Sequence, residues 1–292
     1  TTAHGQFHQF GLDRELELQQ VQVGLDTVRR GVWRDGDTLV LGLLTGGLRA
    51  GLDYETVERQ FDIEGWQLGA YASYLAGGLH LDALVKADLF GIDTDTPGLQ
   101  GGLDGQSIGA RIDGGYRLGS GQLHVEPLAT LAATFVSIDS LTSGANTVDF
   151  EDASSLRGRL GLRVGTAMRL FGAASIEPYL IASVWSELDG DNGASLVSLG
   201  QHFDFTDSQD DFWGELSVGV DVLSEDATTA AFAKVDVTLG NGVEGIAGKL
   251  GAHLAAARGR RYVALTAFMA PSPRRERLLP RPEVRHLPAA VT

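Results

Sequence analysis

The sequence contains no cysteine. That excludes disulfides, thiolate-bound metals and a cysteine nucleophile, and it suits a chain that must cross an oxidising compartment unfolded. Long hydrophobic runs are missing as well. A membrane-spanning helix needs about 20 mostly apolar residues. The uncharged stretch Thr38 to Leu48 is only 11 residues long and carries three glycines, and Pro127 to Ile138, at 12, is no better. If this chain enters a membrane it does so as a barrel, because only helices and closed barrels satisfy every backbone group in lipid. Positive charge is also short. Lys and Arg total 23 against 38 Asp and Glu, giving a formal net charge of -15. A nucleic-acid partner, which needs a basic face to neutralise phosphates, is therefore excluded. The numbering starts at Thr1 with no Met and no signal-peptide pattern, so the chain reads as a mature domain or a fragment of a longer one.

Catalytic constellations are equally scarce. No Gly-x-Ser-x-Gly elbow links a strand to a helix. The seven histidines include no His-Glu-x-x-His pair, so no zinc site is read here. His80 and His124 read as polar wall residues rather than ligands. The glycine-rich segment Gly98 to Gly109 lacks a following Lys-Ser/Thr, which rules against a phosphate loop. Asp189, Asp191 and Asn192 read as an Asp/Gly turn in preference to a Ca²⁺ loop. No cofactor is called for, and the chain is expected not to be an enzyme.

What is abundant is alternation at period two, with 39 glycines among 292 residues. In Gly65 to Tyr74, Trp66, Leu68, Ala70, Ala72 and Tyr74 share one face, and Gln67, Gly69, Tyr71 and Ser73 the other. Leu156, Leu160, Leu162, Val164, Met168 and Leu170 oppose Arg157, Arg159, Arg163 and Arg169. Ile176, Pro178, Leu180, Ala182 and Val184 oppose Glu177, Tyr179, Ser183, Trp185 and Glu187. Phe212, Leu216, Val218, Val220 and Val222 oppose Trp213, Glu215, Ser217 and Asp221. Strands are expected at 17–29, 38–57, 62–76, 79–94, 105–118, 121–139, 155–171, 174–188, 211–224, 228–240 and 243–256. These eleven are each long enough to cross a membrane at a tilt. Single-chain bacterial barrels use an even number, so a twelfth must come from Gln6 to Leu12 or from Arg261 to Ala270.

Connections alternate between short turns, such as Ala76-Gly77-Gly78, and polar Asp/Gly-rich loops at 93–104, 140–154 and 189–210. That asymmetry belongs to outer-membrane barrels. A soluble sandwich would show the same alternation, but its strands are shorter. Four arginines on one lipid-facing stripe would cost several kcal/mol each near the midplane; on a wet inner wall they can pair with Glu126 and Glu177 of the flanking strands. The expected fold is all-β: a closed antiparallel up-and-down transmembrane barrel of 12 strands, spanning residues 1–270. The tail, 271–292, holds five of the eight prolines and five arginines and reads as a disordered extension. The candidate site is a luminal charged wall of Glu126, Arg157, Arg159, Arg163, Arg169, Glu177, Glu187, Glu215 and Asp221.

Several local patterns resemble the autotransporter β-domain. They are the strand openings Val125-Glu126-Pro127-Leu128 and Ile176-Glu177-Pro178-Tyr179-Leu180, the segment Ser155-Leu156-Arg157-Gly158-Arg159-Leu160-Gly161-Leu162-Arg163, the early Val21-Gln22-Val23-Gly24-Leu25-Asp26, and the small-residue strand Gly109 to Tyr116. The resemblance covers about residues 17–256. It implies a monomeric barrel in the outer membrane of a Gram-negative bacterium, surrounded by lipid bilayer and lipopolysaccharide. It also implies insertion by the barrel assembly machinery, and type V secretion of a covalently linked upstream passenger to the cell surface. A porin or passive channel is the alternative, with the acidic 189–210 loop (Asp204, Asp207 and Asp210) as its constriction. A first test follows from the barrel itself. The protein refolded in detergent should show a β-type circular dichroism spectrum and heat-modifiable gel mobility; a helical spectrum would end this reading.

Overall fold

A strand that is apolar on one face and polar on the other can serve two media at once, and here the sheet built from such strands closes on itself. The computed structural model describes residues 2–9, 12–54, 59–94, 100–119, 122–144, 146–170, 174–191, 193–198, 201–206, 212–225, 228–240, 243–255 and 261–266. In chain order the strands are β1 (Thr2–Gln9), β2 (Leu12–Arg30), β3 (Thr38–Tyr54), β4 (Arg59–Ala76), β5 (Leu79–Thr94), β6 (Gly101–Tyr116), β7 (Leu123–Ile138), β8 (Leu141–Ser143), β9 (Asn146–Phe150), β10 (Ala153–Thr166), β11 (Met168–Leu170), β12 (Ala174–Asp191), β13 (Gly193–Ser198), β14 (Gln201–Thr206), β15 (Phe212–Ser224), β16 (Thr229–Gly240), β17 (Val243–Ala255) and β18 (Arg261–Thr266).

Eleven of these form most of the wall. β2 through β7, then β10, β12, β15, β16 and β17, pair antiparallel, each with the next. They match the eleven expected segments, with starts and ends that move by a few residues. The twelfth place lies between β17 and β2. The sequence left two candidates for it, one from each end of the chain, and both are used. β1 pairs with β17 and β2 in the half towards the long loops. β18 pairs with the same two strands in the half towards the short turns. The barrel thus closes with twelve strand places, as expected. The tail at 271–292 lies outside the described residues.

Two of the expected loops carry strands of their own. β8 and β9 belong to the 140–154 connection, β13 and β14 to the 189–210 connection, and the four make a second sheet in the order β14-β13-β9-β8. β9 and β13 align from Phe150 opposite Ala194 to Asn146 opposite Ser198. Leu141 of β8 anchors this sheet to the rim, buried with Ile92 of β5 and Leu103 of β6. Asp207 and Asp210, two of the acidic residues assigned to a constriction loop, lie outside the described residues, as does Asn192.

The outer face shows why the wall needs lipid. Trp66 is 75% exposed and Leu160 67%, with Val85, Ile108, Phe135, Val218 and Ile246 alongside them. In water such a belt would be a large apolar liability; in a bilayer it is the solvated face. The inner face holds Gln67, Asp88, Glu126, Thr130, Ser217 and Asp236, all buried. Glycine thins this face where a ring must lie flat. A Cβ built on Gly42 would collide with the ring of Tyr71 on β4, and one on Gly219 with Tyr179 on β12. Those rings fill the space a glycine leaves open.

The short-side turn between β2 and β3 is organised by one carboxylate. Gly31 and Gly36 take positive φ, 65° and 87°, which glycine tolerates without strain. Asp37 accepts hydrogen bonds from the amides of Val32 (2.7 Å), Trp33 (2.9 Å) and Arg34 (2.9 Å) and from the Tyr74 hydroxyl (3.1 Å). Burial pushes its carboxyl upward, but the three amides and the hydroxyl outweigh that, and its pKa lies below the ordinary 3.8.

Two predictions follow. Leu160→Arg, on the lipid face, should cost about 2–4 kcal/mol of unfolding free energy near the midplane, although the adjacent Arg159 is accommodated on the inner face; urea titration of the refolded protein measures it. Asp37→Ala should speed hydrogen exchange of the Val32, Trp33 and Arg34 amides at neutral pH. Because the carboxylate's pKa is depressed on folding, its contribution is present above the unfolded value and lost as pH falls through the folded one. The difference between the two proteins should therefore vanish in strong acid, below the ordinary aspartate range.

Candidate functional site

The site begins with β10. Its alternation places Arg157, Arg159 and Arg163 on the inner face, with Gly161 and Gly165 between or beside them. Each guanidinium lies over an aromatic ring of a strand further round the wall. Arg163 is 3.9 Å from the Tyr179 ring centre, Arg159 5.2 Å from Trp185, and Arg157 5.6 Å from Trp213. The two indoles stack on each other at 6.1 Å, with planes 5° apart. Cation–π contact of this kind favours arginine over lysine.

Ion pairs then fix the head groups. Arg157 donates to Glu187 at 2.6 Å, and Ser155 donates to the same carboxylate, also at 2.6 Å. Arg159 reaches over β7 to Asp113 of β6 at 3.4 Å and over β12 to Glu215 of β15 at 3.6 Å. Asp113 also accepts from Arg111 and from Thr130. Arg163 is the hub. Its guanidinium lies 2.8 Å from Glu177, 2.8 Å from Asp221 and 3.9 Å from Glu126. His80 meets Glu126 at 2.7 Å, while Arg117 and His124 both meet Glu177. A charge half-removed from water is stabilised only when such partners surround it.

The expected pairing of the arginines with Glu126 and Glu177 is thus made by Arg163. Arg157 and Arg159 take other acids, because Arg157 sits opposite Glu187 in the β10–β12 register and Arg159 is closer to the middle of the wall. Arg169 is on β11, opposite Ser175 at the short-turn rim. It is exposed and joins none of the ion pairs found among the described residues.

Several inner-wall residues were not singled out by their sequence pattern. Lys234 and Lys249 flank the buried Asp236 at 2.8 and 3.0 Å. Asp26 of β2 accepts from Tyr71 of β4 at 2.6 Å and meets His253 of β17 at 3.1 Å. Gln67 of β4 accepts from Gln20 and Gln22 of β2. The signal was face parity alone, since each residue shares the face opposite an apolar stripe. Register, which decides partners, is not visible in one strand's sequence. Among the described residues, no three His, Asp or Glu side chains converge as a metal site would require.

Comparison with known proteins places this geometry in a family. The autotransporter beta-domain family model matches residues 5–236. The pertactin autotransporter of Bordetella bronchiseptica is 34% identical over 132 residues, which is 42% of this chain and 14% of that relative. The match therefore spans about one-seventh of the relative's length. The β domain of the Bordetella autotransporter BrkA superposes with a TM-score of 0.66 at 19% identity, covering 91% of this chain and 97% of that one. The transport unit of the Escherichia coli autotransporter AIDA-I gives 0.66 at 14% identity, covering 91% and 88%. These two share the twelve-place fold described above. The chain belongs to the autotransporter β-domain family, the barrels that reside in the Gram-negative outer membrane.

Proposed function

We propose that residues 1–270 act as one translocator unit that anchors a polypeptide joined ahead of it and lets that passenger reach the cell surface. The observation that carries this reading is where the inner charges are tied down. Every luminal pair named above joins strands no more than three places apart in the wall order. The heads are pinned to the wall that bears them and leave the axis open. Barrels of about eight strands are filled by their own side chains, whereas those of about 16 leave a wide channel. Twelve strands with wall-pinned side chains give an intermediate bore, suited to an extended chain.

The wall so defined comprises Glu126, Arg157, Arg159, Arg163, Glu177, Glu187, Glu215 and Asp221, with Arg169 at the short-turn rim. Its role in this reading is positional. It stabilises the lumen and presents both signs of charge to a polar chain in transit, without catalysis and without a cofactor. The porin alternative draws less support, because residues 193–198 and 201–206 of the segment assigned to its constriction pair in the sheet with β9. The surroundings in this reading are lipid and lipopolysaccharide, with the barrel assembly machinery as the insertion partner and the barrel working as a monomer.

Function is tested by joining a reporter peptide ahead of Thr1 through a flexible linker and adding protease to intact cells. Digestion of the reporter, with the barrel folded in the outer membrane, is the expected outcome. A reporter that stays protected beside a correctly folded barrel would sink the translocator reading. The wall itself is tested by Arg163→Ala, which leaves Glu126, Glu177 and Asp221 facing one another. Loss of one partner from a buried pair costs about 3–5 kcal/mol, and a wet lumen lowers that, so about 1–3 kcal/mol is expected here. The measurement is the urea midpoint, and Arg163→Ala combined with Asp221→Ala should recover part of the loss.

A further inference from the structure

Where β18 stops, the chain has few places to go. Thr266 stands opposite Gln22, near the middle of β2, and β1 already fills β2 from Gln19 to Leu12. On β2, Gln20 and Val21 alone lie between the two ladders. At this height Val21 and Val23 are exposed on the outer face, so the wall here stands in hydrocarbon. The residues after Thr266 therefore leave the wall either into lipid or into the lumen. Residues 271–292 carry five arginines and two glutamates. Arginine is strongly destabilising on the lipid side and tolerated on a wet inner wall, so the lumen is the side open to this tail.

Beside that point the inner wall carries a groove of about 480 Å³. It crosses four adjoining strands, from Glu177 of β12 past Asp221 and Leu223 of β15 and Ala230 and Phe232 of β16 to His253 of β17. The near edge adjoins β18, because His253 aligns with Ala264. The floor departs from the rest of the wet face. Leu223 is 44% exposed and Phe232 37%, although both belong to the inner face: Leu223 lies two residues from Asp221, and Phe232 stands opposite it. Apolar side chains exposed here lack the lipid that covers those outside, and such patches mark binding sites. The far edge is acidic. Three carboxylates, Glu126, Glu177 and Asp221, gather round Arg163, and Arg117 adds a second guanidinium at Glu177. The Asp221 side chain stays 42% exposed.

We propose that residues 271–292 dock in this groove and lie along the inner wall as a luminal plug. Charge, hydrophobicity and reach all commit the groove to that occupant. The tail brings net positive charge to the acidic edge. Leu278 and Leu279, which suit the Leu223 and Phe232 floor, directly follow the cluster Arg274-Arg275-Glu276-Arg277. The groove spans three strand spacings of about 4.8 Å, roughly 14 Å, and the five residues from 266 to 271 can extend over roughly 17 Å. Prolines at 271, 273, 280 and 282 favour an extended, solvated backbone that needs no ladder partner, so the tail requires no fold of its own. Docking does not depend on the translocator reading, but its role does. A polypeptide in transit has to displace the tail, which otherwise occupies the passage.

The chain has no cysteine, so introduced thiols report docking without background. Ser175→Cys, at the β12 edge of the groove, is combined with Leu279→Cys in the full-length protein, and heat-modifiable mobility confirms that the barrel is folded. The expected result is ready disulfide formation. It should fall about tenfold or more when Arg274→Glu, Arg275→Glu and Arg277→Glu are added, because three attractive contacts are reversed together. Ala230→Cys with Leu278→Cys serves as a second pair should the first disturb folding. In planar bilayers, deletion of residues 271–292 should raise the conductance of the barrel. No cross-linking from either pair, cross-linking unchanged by the charge reversal, or equal conductance with and without the tail would each overturn the proposal. A reporter joined ahead of Thr1 reads the opposite end of the chain and can reach the surface whether or not the tail docks, so this test and that of the translocator role fail independently.

Discussion

A sheet in hydrocarbon has no solvent to hide an edge in, and the rest of this structure depends on that constraint. Every wall strand must find a partner on both sides, which forces closure. Closure in turn fixes which residues face lipid and which face the lumen, because side chains alternate strictly along each strand. Once Leu160 and Leu162 are committed to the outside, Arg159 and Arg163 have nowhere to go but inward. The polar interior is thus a consequence of sheet geometry as much as of any particular contact. The demand is strong enough that the closing place is filled even though no single described strand spans it: β1 and β18 come from opposite ends of the chain and meet in register.

Committing that much charge to a narrow interior creates a second problem, since ions there are only partly hydrated. The wall answers it locally. Acids and bases alternate round β6, β7, β10, β12 and β15, so Arg157, Arg159 and Arg163 each have a carboxylate within reach and an aromatic ring against the guanidinium. Glycines on the same face make room for those rings, as Gly219 does for Tyr179. Small residues, rings and charges are one packing solution, in which removing the Cβ from one strand lets its neighbour lay an aromatic flat against the wall.

Much of this was legible in the sequence because period two is a local signal. The pattern Trp66, Leu68 against Gln67, Gly69 can be read without knowing what lies beside it, and so can the arginine face of β10. The family was legible too, from the Glu-Pro openings at Glu126 and Glu177 and the Arg-Leu-Gly segment between them. Partner choice was not. Arg159 finds Asp113 and Glu215 two strands away on either side, a relation set by the stagger of four ladders that no single segment encodes. The use of both chain ends in one wall place was hidden for a similar reason: each end reads as an adequate strand alone, and only the register shows that they do not compete for the same half. The strands in the 140–154 and 189–210 connections were masked by Asp, Asn and Gly, which read as turn residues. Their pairing is between loops, and loop–loop register leaves no periodic trace.

That loop sheet has a consequence for how the protein presents itself. Longer loops of such barrels face outward from the cell. Here residues 146–150 and 194–198 lie side by side although some 50 positions separate them in the chain. Whatever contacts this surface meets a composite shape drawn from two connections at once. An antibody or phage fitted to it would recognise the folded barrel and ignore a peptide copied from either loop, so the surface can tolerate drift in one loop only as far as the other can follow.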